Sequence, residues 1–151
     1  MYSDIVYQKD TLRIYNLHLE SFRVKPNAKA ISSESSNILF NRLSNAFAKQ
    51  QEQAALTQKH LKQSPYLNIV CGDFNNTQSS YSYKKIRGNM LDTFDEKGHG
   101  FGKTFNFFKL PFRIDFILVD PKITVVNHTN YEVLLSDHLP LMSTLRIPHK
   151  K

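Results

Sequence analysis

The stretch that most constrains the fold is LNIVCGDFN at residues 67–75. Its mostly apolar beginning predicts a short buried strand over 67–71 that ends at Gly72. Asp73 and Asn75 follow, and their side chains are expected to project together because side chains two apart on an extended chain point the same way. A carboxylate and a carboxamide at the carboxyl end of a buried strand are typical of a ligand site. A simple turn over 72–75 is the alternative, since Gly, Asp and Asn all favour turns.

Hydrophobic periodicity predicts the other elements of a chain whose 151 residues suit one domain. Predicted strands cover residues 4–8, 11–19, 103–106, 112–119, 123–133 and 141–147, and the first two form a hairpin. Apolar residues at helical spacing predict a long amphipathic helix over 37–62, interpreted as a packing helix without a chemical role. A loop with a short helix is predicted over 77–87, and a helical turn over 89–94. Elements of both kinds indicate a mixed α/β (α+β) fold.

Charge and cysteine content narrow the classes of function. The formal net charge is +7, which favours an anionic partner such as a phosphate group, although the basic residues are spread along the chain and also suit general solubility. Cys71 is the single cysteine, so an intramolecular disulfide and a cysteine-based zinc site are excluded. The sequence shows no signal peptide and no apolar run of the roughly 20 residues that a transmembrane segment needs.

Six polar residues end or interrupt apolar strands and are expected to converge at one end of a sheet. They are His18, Asp73, Asn75, Asp115, Asp137 and His138. Asp115 lies inside an apolar run and must have a partner, so it is expected to accept a hydrogen bond from His138. Carboxylates near a phosphate bind Mg²⁺, and a histidine held by a buried aspartate acts as a general base. The set suits metal-assisted attack of water on a phosphoester.

Four short motifs carry a resemblance to a known family. NLHL at 16–19, GDFN at 72–75, RIDFI at 113–117 and SDHLP at 136–140 resemble, in this order, motifs of the endonuclease/exonuclease/phosphatase family. The resemblance implies part of a deoxyribonuclease-like, four-layer α-β-β-α sandwich. It also implies a hydrolase of phosphodiesters or phosphomonoesters that uses Mg²⁺ or Mn²⁺.

The resemblance also implies a role for each residue of the set. His138 would be the general base, or would bind phosphate in its ionised form, and Asp115 would orient it. Asp137 and Asp73 would lie at the metal. Asp73 and Asn75 would position the attacking water and the scissile phosphate, while His18 and Asn75 would bind the phosphate of the substrate.

The chain departs from the family pattern at its beginning. The family's amino-terminal half carries an Asn and a metal-binding Glu without counterparts here, because Glu20 and Glu34 follow the His18 motif. Residues 1–151 are therefore expected to form a single domain that lacks its amino-terminal part, with weak or absent activity in isolation.

Two other classes of function stay open beside the hydrolase. One is a non-catalytic basic nucleic-acid-binding module, which would use the net charge and exposed tyrosines such as Tyr81 and Tyr83. The other is a structural or interaction domain in which the polar residues are caps and turns. For the hydrolase, DNA, RNA, a phospholipid head group and an inositol phosphate all remain open as substrates.

Overall fold

The computed structural model describes residues 1–23, 36–107 and 110–148, so that Glu34 lies outside the described residues. The elements, in chain order, are β1 (Tyr2–Tyr7), β2 (Asp10–His18), α1 (Ser36–Gln63), β3 (Leu67–Asp73), α2 (Tyr81–Arg87), β4 (Leu91–Asp92), α3 (Thr93–Lys97), β5 (Phe105–Phe107), β6 (Leu110–Phe112), β7 (Asp115–Val119), β8 (Thr124–Asn130) and β9 (Leu141–Arg146). The predicted hairpin, the long helix and the short helix after β3 are confirmed. Among these described helices, none is long and apolar enough to cross a membrane.

A five-stranded sheet in the order β1-β2-β3-β7-β4 forms the centre of the fold. Strands β2 and β3 pair in parallel, whereas the other neighbours in this sheet are antiparallel. A parallel pair requires a crossover connection, and α1 lies in that connection. Strands β5 and β6 form one small antiparallel sheet, and β8 and β9 form another.

Strands β3 and β7 of the central sheet are packed on both faces, by different layers, whereas every residue of β1 is exposed. On one face, Val70, Phe74 and Phe116 share a core with Ala54 of α1 and Ile86 of α2. On the opposite face, the core contains Ile69, Val119 and Val125, and Leu145 of β9 packs against it. A helical layer, a sheet and part of a second sheet are thus stacked, as expected for a portion of the α-β-β-α sandwich.

Strand β3 is longer than predicted, because it passes through Gly72 and ends at Asp73. Gly72 has a φ of 138°, and a Cβ atom there would lie 1.9 Å from the carbonyl oxygen of Leu17 on β2. Only glycine permits this close approach of two paired strands. The prediction of a strand end at Gly72 was therefore wrong, and the simple-turn alternative is excluded for Gly72 and Asp73.

Two further predictions are corrected. The strand predicted over 112–119 is broken between β6 and β7, because the backbone N–H groups of Ile114 and Asp115 donate to the side-chain oxygen of Thr104. The helical turn predicted over 89–94 is instead β4 followed by α3, since Leu91 pairs with Val119 of β7. Asp92 then caps α3 by accepting a hydrogen bond from the N–H of Phe94.

A buried ion pair anchors the chain just before β7. Arg113 is 6% exposed, and its Nη1 donates to the Asp92 carboxylate at 2.7 Å. The hydroxyl of Tyr83 donates to the same carboxylate oxygen at 2.7 Å, and the guanidinium lies 4.6 Å from the ring centre of Phe94. These contacts satisfy the buried charges and hold the backbone that leads into Asp115.

His128 on β8 makes the stability of the fold sensitive to acid. Its side chain is 5% exposed, and Nδ1 lies 2.8 Å from the hydroxyl of Thr93. Burial lowers the pKa of His128 below its usual 6.5, and the charge of Asp92 opposes this only in part. The unfolded chain therefore binds the proton more readily, and the free energy of unfolding should decrease as the pH falls through about 6.5.

The expected result is a flatter pH dependence in His128→Asn than in the wild type. Urea unfolding between pH 7.5 and pH 5 measures it, with His99→Asn, at an exposed position, as the control. An unchanged dependence in His128→Asn would show that another group controls acid stability.

Candidate active site

One histidine and two aspartates form a row across adjacent strands at the carboxyl end of β3. His18 on β2 is paired with Asp73 on β3, and Asp73 is paired with Asp115 on β7. Paired positions on neighbouring strands direct their side chains to the same face of the sheet. The row therefore follows directly from the register, and His18 Nε2 lies 3.6 Å from Asp73 Oδ2.

His138 joins the row through Asp115. Its Nδ1 atom lies 2.9 Å from Asp115 Oδ2, so the hydrogen bond expected between these residues is present. When Nδ1 donates to the carboxylate, the other ring nitrogen is left as the basic one. The ring of Phe105 packs against His138 at 4.8 Å between ring centres, and these two residues also form a β-bridge. The half-buried imidazole is thus held by both a carboxylate and an aromatic ring.

Asn75 is hydrogen-bonded to Asp73 through both its backbone and its side chain. It adopts a φ of 48°, and its backbone N–H donates to Asp73 Oδ1 at 2.6 Å. Its side-chain Nδ2 donates to Asp73 Oδ2 at 3.0 Å and to the carbonyl of Leu19 at 2.9 Å. Both N–H groups of the side-chain amide therefore donate hydrogen bonds within the protein, and one of them holds the Asp73 carboxylate.

The carboxylates of the row create a site suited to a cation. Ligand atoms of Asp73, Asp115 and His138 all lie within 4.8 Å of one another. Burial raises the pKa of Asp73 and the charge of Asp115 raises it further, although the Asn75 N–H opposes the shift. A carboxylate whose charge is disfavoured by burial and by a second carboxylate is stabilised by a shared cation, and oxygen ligands suit Mg²⁺ or Mn²⁺.

Two members of the predicted set, His18 and Asp137, are not part of this group of ligand atoms among the described residues. The side chain of His18 is 75% exposed, which leaves it accessible to a bound substrate. Asp137 is exposed, and its backbone carbonyl accepts a hydrogen bond from the N–H of Asn106. Its carboxylate is not part of the metal-suited group found among the described residues.

A cleft of about 250 Å³ opens beside Asn75. Its walls include three aromatic rings, with Arg23 and Ile114 nearby; the rings are those of Phe22, Phe105 and Phe112. This cleft was not predicted from the sequence, because its walls come from the segment after β2, the loop after β3 and the β5–β6 hairpin. The signal in the sequence was the pair of aromatic residues at the two ends of that hairpin, Phe105 and Phe112.

Comparison with known proteins gave one family and several solved structures. The model of the "Endonuclease/Exonuclease/phosphatase family" matches residues 7–138. A mannosyl-6-phosphatase from Bacteroides thetaiotaomicron is 22% identical, with a TM-score of 0.62, over 93% of this chain and 53% of that one. An endonuclease/exonuclease/phosphatase from Bacteroides vulgatus is 30% identical, with a TM-score of 0.58, over 67% and 45%.

A third solved structure, humanized TDP2 from D. rerio, is 16% identical with a TM-score of 0.67, over 96% of this chain and 59% of that one. A search of curated proteins gave no match. The chain spans about half the length of the mannosyl-6-phosphatase that it matches. The shared fold confirms the predicted deoxyribonuclease-like architecture.

Proposed function

The chain belongs to the endonuclease/exonuclease/phosphatase family, and from this premise we propose that it provides the general base of a metal-dependent phosphoester hydrolase. The observation that carries the proposal is the Asp115–His138 hydrogen bond of 2.9 Å beside the Asp73 carboxylate. Hydrolysis by activated water requires a general base, a carboxylate that orients the base, and a second carboxylate close by. All three lie at one end of the sheet.

Each residue of the row has a role in this proposal. His138 takes a proton from the attacking water, and Asp115 keeps the ring oriented and stabilises the imidazolium that forms. His18, exposed at the edge, donates a hydrogen bond to a phosphoryl oxygen. Asp73 positions the water, and Asn75 holds the Asp73 carboxylate in place through two hydrogen bonds.

Asp73 and Asp115 are the proposed ligands of Mg²⁺ or Mn²⁺. Asp137, the residue before His138, is a further carboxylate close to them in sequence but is not in the group of ligand atoms. Two carboxylates completed by water and substrate phosphate are a common set for Mg²⁺. The ion would supply Lewis-acid stabilisation of the charge that develops on the phosphoryl oxygens. The net charge of +7 favours approach of a phosphate-containing substrate, nucleic acid included.

The aromatic cleft is the proposed location of the organic group of the ester. It begins at Asn75, next to the row, and its rings offer flat apolar surfaces to a base or another ring. The non-catalytic nucleic-acid-binding alternative would use the net charge and exposed tyrosines. Tyr81 is exposed, but Tyr83 is buried, contrary to the prediction, and this alternative does not require an aspartate–histidine pair.

The test is hydrolysis of bis(4-nitrophenyl) phosphate and 4-nitrophenyl phosphate by the full-length gene product that contains this chain. Activity should require added Mg²⁺ or Mn²⁺ and disappear with EDTA. Asp73→Asn should lower kcat/KM by about 100-fold or more, in the range of one lost preorganised electrostatic contact.

Asp4→Asn is the matched control for this test, because it removes a carboxylate on the edge strand that is paired with Arg13 and lies outside the row. It should leave kcat/KM within about twofold of the wild type. Full activity of the wild type in EDTA, or of Asp73→Asn with metal, would refute the proposed mechanism.

A further inference from the structure

Gln50 is a fully buried amide in the middle of α1, where the sequence predicted only packing. It is 0% exposed, and the other buried residues of α1 are Ala46, Ala54 and Thr57. A buried amide without partners would be costly, so its contacts indicate why it is tolerated.

The side chain of Gln50 connects α1 to both segments that carry site residues. Its Nε2 donates to the carbonyl of Glu20 at 2.7 Å and to the carbonyl of Asn75 at 3.4 Å. Its Oε1 accepts a hydrogen bond from Nδ2 of Asn76 at 2.9 Å. Glu20 follows His18 by two residues, so one amide contacts the chain beyond β2 and the loop beyond β3.

Gln53, almost one turn further along α1, strengthens the first of these connections. Its Oε1 accepts a hydrogen bond from the N–H of Glu20 at 2.9 Å. The N–H and the C=O of Glu20 are therefore both held by α1. Next to it, the N–H of Leu19 donates to the carbonyl of Asp73, and the carbonyl of Leu19 accepts from Asn75.

The contacts around Asn75 stabilise its backbone conformation. Its φ of 48° lies in the left-handed region, which asparagine tolerates better than most residues with a side chain but which still costs free energy relative to negative φ. In Asn75 the N–H is held by Asp73 and the carbonyl by Gln50. If the carbonyl were released, the residue could relax to negative φ, and Asp73 would lose both hydrogen bonds from Asn75.

We propose that Gln50 is a positioning residue, which acts through Asn75 to hold the Asp73 carboxylate in the geometry needed for hydrolysis. The catalytic part of this inference rests on the function proposed above. The structural part, that Gln50 maintains the conformation of Asn75, can be measured without activity.

The test compares Gln50→Met with Thr57→Val in the full-length gene product. Methionine has nearly the size of glutamine but removes all three hydrogen bonds. Thr57 is buried on the same helix, and its hydroxyl donates to the carbonyl of Gln53, so valine removes a buried hydrogen bond away from the site. Gln50→Met should lower kcat by about 10-fold or more with little change in KM, whereas Thr57→Val should stay within about twofold.

The second measurement is the side-chain amide signal of Asn75 in ¹H–¹⁵N NMR spectra. It should shift and exchange faster with solvent in Gln50→Met, and remain unchanged in Thr57→Val. If Gln50→Met does not fold, Gln50→Leu is judged by the same criteria, because it also removes all three hydrogen bonds and introduces no charge.

The outcomes separate the two proposals. An inactive wild type with an Asn75 signal perturbed only by the Gln50 variant would refute the hydrolase and support the positioning role. An active wild type whose Gln50 variant matches Thr57→Val in kcat would overturn the positioning role alone. An unchanged Asn75 signal in the folded Gln50 variant would also overturn it, whatever the activity.

Discussion

Alanine at Gly72 is expected to prevent folding or to lower the free energy of unfolding by more than about 4 kcal/mol, a loss at the extreme of point substitutions. The added Cβ would lie 1.9 Å from the carbonyl oxygen of Leu17 and 2.9 Å from its backbone nitrogen. These are backbone atoms of the paired strand, so no side-chain rotation can relieve the clash. Separation of β2 from β3 would also separate His18 from Asp73.

Gly88→Ala is the matched control for this substitution. Gly88 also has a positive φ, of 50°, but nothing lies within 4 Å of a Cβ atom there. Its φ of 50° with a ψ of −116° lies outside the left-handed α region, so alanine there should cost backbone strain of about 3 kcal/mol, without a steric clash. Urea unfolding followed by circular dichroism measures both variants, and equal losses of stability would show that the β2–β3 contact does not depend on glycine.

The second large effect is expected at the Asp115–His138 pair, which should behave as one unit in catalysis. His138→Ala should lower kcat/KM of the full-length gene product by about 1,000-fold, within the range for a general base. Asp115→Asn should also lower it strongly, because an amide cannot stabilise the imidazolium. The double variant should lose less than the product of the two single losses, because the orienting role of Asp115 needs the His138 ring whereas its proposed role as a metal ligand does not.

His60→Ala is the control for that series. His60 is an exposed histidine on α1 whose ring lies 6.5 Å from the ring of Tyr2, at the edge of the sheet. It should leave kcat/KM unchanged. Multiplicative losses in the double variant would mean that Asp115 and His138 act independently, and would contradict the proposed role of Asp115.

Sequence periodicity determined most of the fold because it reports local burial. The apolar pattern of residues 141–147 and the helical spacing over 37–62 required only that these segments bury one face, and β9 and α1 do so. The pairing of Asp115 with His138 was also predictable, since a carboxylate inside an apolar strand must find a donor. The motifs at 16–19, 72–75, 113–117 and 136–140 carried the family resemblance.

Contacts between distant segments decided the rest. The extension of β3 through Gly72 depends on how closely β2 approaches it, and the break before β7 depends on a hydroxyl of Thr104. Helical spacing from Ala46 and Ala54 places Gln50 on the buried face of α1, but the local pattern does not reveal its hydrogen bonds, because its partners lie 25 to 30 residues away. Local sequence thus determined which segments form the sheet and which polar residues end its strands. The tertiary structure alone decided which of them touch, because hydrogen bonds and steric contacts across strands depend on positions in space.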